Sequence, residues 1–203
     1  AFVWMNPWFG GVGPVLLLPS EEEAWPGHAG HLHEETVAYE LLPAAPEAAI
    51  PWTGVRIACD LQRPGDAGLR LETAYLTVGG SNVVAVVSRL TNLTTAPRPV
   101  VYFTNAFLQP GGTIQNAVLH YGQQRTSLRA DNNMWLASSD PWAAVENPAS
   151  GDVGVLVNAT PGSELQAFDM SRDGAHLFQV VRFTLEPAAR REFVSFLVLA
   201  QGL

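Results

Sequence analysis

Residues 69–92 read LRLETAYLTVGGSNVVAVVSRLTN, and this stretch decides the fold class. Its first part alternates strictly, and one face of a predicted strand carries Leu69, Leu71, Thr73, Tyr75 and Thr77. Gly79-Gly80 predicts a turn, and Val83 to Thr91 predicts a second strand that ends at Asn92. Two apolar strands joined by a glycine-rich turn are typical of an antiparallel hairpin.

The same pattern continues along the chain. Short β-branched and aromatic runs bounded by Gly, Pro or Asn predict strands at 15–18, 55–61, 100–108, 153–157, 177–185 and 192–200. Residues 96–99 predict a stiff connector, and residues 42–51 a loop. Helix signals are limited to a capped turn at Ser20–Trp25 and, at Pro141–Val145, a turn at most. We therefore expect an all-β fold, an antiparallel two-sheet sandwich, as a single domain over residues 1–203.

Composition excludes several function classes. The chain has 203 residues, a net charge of −8 and no lysine, and it lacks the clustered cations of a nucleic-acid surface. The absence of lysine excludes a phosphate-binding P-loop and Schiff-base catalysis. No apolar run approaches the length of a membrane span. Cys59 is the only cysteine, which excludes an internal disulfide, and its apolar strand predicts a small buried residue.

The opening segment and two sequons bear on location and partners. The segment AFVWMNPWFGG shows no secretory signal pattern, so we expect a cytoplasmic location in preference to a secreted one. Its aromatic content predicts a domain of a larger protein that contacts a neighbouring domain or a second copy. The sequons at Asn92 and Asn158 are expected to be chance triplets and not glycosylation sites.

One histidine cluster stands out as a candidate for chemistry. His28, His31 and His33 fall within six residues, and on a strand His31 and His33 point to the same side. Both imidazoles would then reach one ligand or one metal ion. Three interpretations stay open: a solvated polar loop, a sugar-facing or proton-transferring group, and a metal site.

Tryptophans next to turn residues are candidates for ligand binding. Trp25, Trp52, Trp135 and Trp142 lie beside Pro, Gly, Asn or Asp, which predicts loops or strand ends. Such rings either stack on sugars or cover the sandwich core. We select Trp52 and Trp135 as binding residues, with Arg56 and Asn132 as groups that orient hydroxyls.

The segment His31-Leu32-His33 resembles the first motif of the cupins, whose fold is a double-stranded β-helix. This resemblance implies a divalent metal bound by His31 and His33. The following carboxylates, Glu34, Glu35 and Glu40, depart from the cupin spacing, and His120 lacks the frame of the second motif.

A broader set of segments resembles the galactose mutarotase-like supersandwich, the fold of aldose epimerases and of accessory domains in polysaccharide-acting enzymes. These segments are NPWFGG at 6–11, PWTGVR at 51–56, LETAYL at 71–76, the strand running into Asn92, and FTLEP at 183–187. The resemblance implies a histidine acid and a glutamate base acting on the ring oxygen and the anomeric hydroxyl. The acid would be His28, His31 or His33, and the late glutamates are Glu164 and Glu186.

From these residues we expect a carbohydrate-recognising sandwich domain that binds a sugar or another small polyol, without a cofactor. Whether it is an enzyme stays open. One alternative is a cupin-like metal protein that uses His31 and His33. The other is a structural sandwich that packs against a partner domain. No nucleic-acid or membrane partner is expected.

Overall fold

The computed structural model describes residues 12–17, 36–45, 48–61, 67–112, 116–128, 135–170 and 174–201. These residues form fourteen strands: β1 (Val12–Leu17), β2 (Thr36–Leu42), β3 (Thr53–Asp60), β4 (Leu69–Thr77), β5 (Val83–Asn92), β6 (Arg98–Leu108), β7 (Val118–Tyr121), β8 (Gln124–Ser127), β9 (Trp135–Ser138), β10 (Trp142–Asn147), β11 (Asp152–Asn158), β12 (Glu164–Met170), β13 (Gly174–Leu185) and β14 (Arg190–Gln201). A short 3-10 turn spans Pro110–Gly112. None of the described segments is a helix with the length and hydrophobicity that a membrane crossing needs.

The strands form two sheets. One has five strands in the order β1-β6-β13-β12-β9, and the other has nine in the order β2-β3-β4-β5-β14-β11-β10-β7-β8. Every defined register is antiparallel, including the long β4–β5 pair from Leu69↔Asn92 to Thr77↔Val84. The predicted all-β, two-sheet antiparallel sandwich is therefore confirmed.

Strands β2, β7, β8, β9 and β12 were not predicted, and two other segments differ from the prediction. Pro141–Val145, predicted as a turn at most, lies largely in strand β10, which pairs with β7 on one side and β11 on the other. These pairings outweigh the local preference of its alanines, because strand propensity depends on the neighbours that a strand packs against. The predicted connector at 96–99 is shorter, since β6 already begins at Arg98. Pro99 is tolerated there because it lies at the strand start.

The chain divides into two compact units. Unit 1 comprises Ala1–Gly13, Thr104–Val180 and Ser195–Leu203, and unit 2 comprises Pro14–Phe103 and Val181–Val194.

The core of unit 2 lies on the buried face of β3, β4 and β5. Leu71 pairs in register with Leu90, and both are buried. The ring of Tyr102 stacks on Phe193, with ring centroids 3.7 Å apart and an interplanar angle of 9°. Cys59 belongs to this core, its Sγ lies 3.6 Å from the carbonyl oxygen of Leu71, and burial raises the pKa of its thiol. The prediction of a small buried cysteine is confirmed.

The core of unit 1 uses one face of β10, β11 and β14. Val145, Leu156 and Leu197 are each 0% exposed and point to this buried face. Gly154 lies on the same face, where a Cβ would approach the Leu108 side chain of β6 to 2.9 Å. The glycine therefore lets the backbone of β11 approach β6 closely. Alternate residues of these strands point to the opposite face.

A polar network is buried in unit 1. Gln179 and Ser195 are both 0% exposed. The Nε2 of Gln179 donates to Oδ1 of Asn158, and the Oγ of Ser195 donates to Oε1 of Gln179. Because these buried polar groups bond to each other, their desolvation is compensated.

Both sequons close strands through the same turn. The backbone N–H of Thr94 donates to Oδ1 of Asn92 at 2.9 Å, and that of Thr160 donates to Oδ1 of Asn158 at 2.8 Å. Asn92 ends β5 and Asn158 ends β11. These Asx turns explain why asparagine occupies both positions, and they favour the structural interpretation of the sequons.

A histidine is buried in unit 1 and makes stability depend on pH. Nδ1 of His176 lies 3.1 Å from Oδ1 of Asn105, and the ring packs on Phe107 and Phe178. Burial lowers the pKa of His176 from 6.5 to about 4. In the folded protein the imidazole therefore stays neutral at pH 5, whereas in the unfolded chain it is protonated.

This difference in pKa predicts an acid-sensitive fold. Below pH 6.5 the unfolded chain binds a proton that the folded protein rejects, so stability falls as the pH drops from 6.5 toward 4. The contribution of His176 to the free energy of unfolding should be about 2 kcal/mol lower at pH 5 than at pH 7. Urea denaturation at both pH values measures this loss. His176→Gln should remove it and His120→Gln should keep it; an unchanged pH dependence in His176→Gln would refute the assignment.

Candidate functional site

Several residues selected from the sequence lie outside the described residues. They are His28, His31, His33 and Asn132. The histidine acid and the metal site at His31 and His33 therefore stay predictions. Trp135 is the first residue of β9, the edge strand of the five-stranded sheet, and its side chain is likewise outside the described part. Within the described residues, no group of three or more His, Cys, Asp or Glu side chains is arranged to hold a metal ion.

Trp52 and Arg56 both belong to unit 2. Trp52 is half-buried just before β3, at a strand end as predicted, and its backbone N–H donates to the carbonyl oxygen of Ile50 at 2.9 Å. Nη1 of Arg56 lies 3.1 Å from Oε2 of Glu40 on the neighbouring strand, and both side chains are exposed. Arg56 is thus engaged in a surface ion pair, a kind of contact that contributes little to stability.

The two late glutamates are on the surface. Glu164 begins β12, and its carboxylate accepts a hydrogen bond from Nε2 of Gln166 at 3.4 Å. Glu186 lies in the turn after β13, as predicted, where its carbonyl oxygen accepts a hydrogen bond from the Ala189 backbone.

Unit 1 contains a histidine–glutamate pair that the sequence did not predict. Nε2 of His120 lies 2.8 Å from Oε2 of Glu146, and the two side chains are 19% and 18% exposed. Nη2 of Arg125 lies 3.9 Å from the same carboxylate oxygen. The site therefore combines a half-buried acid–base pair with a nearby cation.

Strand register brings these residues together. His120 is opposite Ala144 in the β7–β10 ladder and opposite Arg125 in the β7–β8 ladder. Glu146 lies two residues beyond Ala144 on β10, so it points to the same face as His120 and is its diagonal neighbour. Alternation on β10 sends Ala143 and Val145 into the core and leaves Trp142 and Glu146 on the opposite face.

We call this side of unit 1 the His120–Trp142 face. It carries His120 of β7, Trp142 and Glu146 of β10, Val157 of β11, and Phe196 of β14. Their side chains are all partly exposed. The face therefore combines aromatic rings with hydrogen-bonding groups.

A second carboxylate lies two residues before Trp142. Ser138 Oγ donates to Oδ2 of Asp140 at 2.6 Å. The carboxylate lies against Gly122, which has a φ of 54°, and a Cβ at Gly122 would overlap it. Glycine at this turn thus provides both the left-handed conformation and the space for the Asp140 side chain.

The structure of the chain is similar to those of three proteins, among others. The α-galactosidase of Lactobacillus brevis matches with a TM-score of 0.61 and 13% identity, over 82% of this chain and 27% of that one. A candidate aldose 1-epimerase of Klebsiella pneumoniae matches with a TM-score of 0.58 and 15% identity, over 76% of this chain and 52% of that one. The Slr1438 protein of Synechocystis sp. PCC 6803 matches with a TM-score of 0.59 and 12% identity, over 92% and 84%.

These likenesses establish the fold. The chain has the galactose mutarotase-like β-sandwich fold that the sequence resemblance indicated, and not the cupin fold. It spans about a quarter of the α-galactosidase and about half of the candidate epimerase. No known protein family matches the sequence. No curated protein matches it either.

Proposed function

We propose that this chain is a carbohydrate-binding domain and that the His120–Trp142 face is its binding surface. The observation that carries the proposal is the half-buried His120–Glu146 pair on the same sheet face as Trp142. The fold it shares with an α-galactosidase and a candidate aldose 1-epimerase also supports a sugar ligand.

The chemistry of the face suits a polyol. An indole ring offers a flat apolar surface to the C–H face of a pyranose, and Trp142 is partly exposed. The carboxylate of Glu146 accepts hydrogen bonds from hydroxyl groups, while Arg125 supplies N–H donors and His120 keeps its second ring nitrogen for a further hydrogen bond. Asp140 adds a further acceptor close to Trp142 in the chain.

The geometry of the pair favours recognition over anomeric proton transfer. Epimerisation needs a base at the anomeric hydroxyl and an acid at the ring oxygen, with the sugar between them. His120 and Glu146 instead bond directly to each other at 2.8 Å and share one sheet face. In such a pair His120 holds the Glu146 carboxylate in place, and the carboxylate can accept hydrogen bonds from sugar hydroxyl groups.

Removing either element of the face should weaken sugar binding. Trp142→Leu removes the stacking ring, and Glu146→Gln removes the charged acceptor. We expect each variant to lower the affinity for the best sugar about tenfold, or about 1.4 kcal/mol. Calorimetric titration with a panel of mono- and oligosaccharides measures the affinities.

Control variants show whether the sugar binds to this face or to the residues predicted from the sequence. Glu192→Gln removes one charge from the surface ion pair of Glu192 with Arg89 and should leave binding unchanged. Trp52→Leu should also bind normally; if it loses affinity while Trp142→Leu does not, the proposed surface is wrong. An accelerated optical-rotation change of fresh glucose that Glu146→Gln abolishes would show catalysis instead of recognition alone.

A further inference from the structure

We propose that the His120–Trp142 face binds an extended linear glycan that crosses the strands. One sugar ring stacks on Trp142, and the next ring but one stacks on Phe196. This inference rests on the proposed carbohydrate function and names its ligand class. Its basis is strand register. Trp142 of β10 is opposite Val157 of β11, and Val157 is opposite Phe196 of β14. The three side chains therefore form one row across three adjacent strands.

The spacing of this row fits a ribbon-like sugar chain. Two strand intervals place the two aromatic residues about 10 Å apart. This distance is close to the span of two consecutive pyranoses in an extended β-1,4-linked chain. In such a chain alternate sugars present the same ring face, so the first and third rings would both stack on an aromatic side chain.

Exposure and the middle residue of the row agree with this arrangement. Trp142, Val157 and Phe196 are all partly exposed, whereas Ser195 and Leu197, which flank Phe196, are buried on the other face. Valine between the two aromatic residues keeps the row apolar, and its side chain is shorter than an aromatic one. A continuous sugar chain can therefore lie along the row.

Polar groups are concentrated at one end of the row. Ala144, opposite His120, lies two residues beyond Trp142 on β10, a distance of about 7 Å along the strand. Asp140 lies two residues before Trp142. The Trp142 end thus combines stacking with hydrogen bonding and should hold a monosaccharide, while Phe196 adds only stacking. The contribution of Phe196 should appear only with longer ligands.

Calorimetric titration with glucose, cellobiose and cellotetraose tests this division, with maltotetraose as the curled-chain control. We expect cellotetraose to bind at least tenfold more tightly than glucose and than maltotetraose. Phe196→Leu, which keeps an apolar side chain and protects the fold, should lower the cellotetraose affinity about tenfold and leave the glucose affinity unchanged. Val198→Ala, on the same strand face, should change neither affinity.

Each outcome has a distinct meaning. If glucose binds through Trp142 but cellotetraose binds no more tightly, or Phe196→Leu has no effect, the linear-glycan inference fails and the proposed function stands. Equal affinities for maltotetraose and cellotetraose would also overturn the inference. If no member of the wider sugar panel binds, the proposed function itself fails.

Discussion

Replacing Asn92 by alanine is expected to lower the free energy of unfolding by about 4 kcal/mol. The side chain is 0% exposed and all of its hydrogen-bonding groups are used. Its Nδ2 donates to the carbonyl oxygens of Ala96, Leu185 and Glu186 at 2.8, 3.0 and 3.3 Å. Its Oδ1 accepts hydrogen bonds from the backbone N–H and the hydroxyl of Thr94. The Leu185 carbonyl oxygen is buried and costs about 1–3 kcal/mol when left unbonded, and the lost Asx turn and the cavity add to this.

Two further variants show whether hydrogen bonding or size is responsible. Asn92→Asp keeps the size but turns a carboxylate oxygen toward three carbonyl oxygens, so it should destabilise the fold at least as much as alanine. Asn82→Ala, at an exposed turn position between β4 and β5, should cost less than about 0.5 kcal/mol. Guanidinium denaturation gives all three values. A loss below about 1 kcal/mol for both Asn92 variants would contradict this account.

The role of Asn92 shows what local sequence can predict. The residues 69–92 alternate, carry a Gly-Gly turn and end at an asparagine, and the structure has β4 at Leu69–Thr77 and β5 at Val83–Asn92. All of these signals act over a few neighbouring residues. The three carbonyl partners of the Asn92 amide include two that are 93 and 94 residues away in the chain. No local pattern indicates such contacts.

The candidate site depends on contacts that the sequence does not show. His120 and Glu146 are separated by 26 residues, and only the β7–β10 register makes them neighbours. Because Pro141–Val145 was predicted as a turn at most, its alternation was not used to place Trp142 and Glu146 on one face. Two signals in the sequence could have indicated these strands. One is the apolar run before His120, and the other is the alternation of Trp142, Ala144 and Glu146.

The family resemblance predicted the fold, and the site residues that it implied stay a prediction. Segments at 51–56 and 71–76 fall in or beside β3 and β4, the strands of a regular ladder from Thr53↔Thr77 to Asp60↔Arg70. A fold depends on many such pairings and tolerates changes in any one of them. A binding site depends on a few side chains, and those of the proposed site occupy positions that the quoted segments do not contain.

The second large effect is expected at Gly54, within this ladder. A Cβ at Gly54 would overlap the carbonyl oxygen of Tyr75 and lie 3.0 Å from the Cα of Leu76, so the obstacle is the backbone of the adjacent strand. A backbone atom cannot move aside as a flexible side chain does, because its displacement disrupts the β3–β4 hydrogen bonds. We expect Gly54→Ala to lower the free energy of unfolding by about 4 kcal/mol.

The glycines of the next turn provide the controls. Nothing lies within 4 Å of a Cβ at Gly79 or at Gly80, but Gly80 has a φ of 77°. Gly79→Ala should therefore be nearly neutral, and Gly80→Ala should cost about 1 kcal/mol from backbone strain alone. Denaturant unfolding of the three variants ranks the effects. If Gly54→Ala lowered the free energy of unfolding no more than Gly80→Ala does, the prediction would be wrong. The close approach of the β3 and β4 backbones at Gly54 would then not contribute to the stability of unit 2.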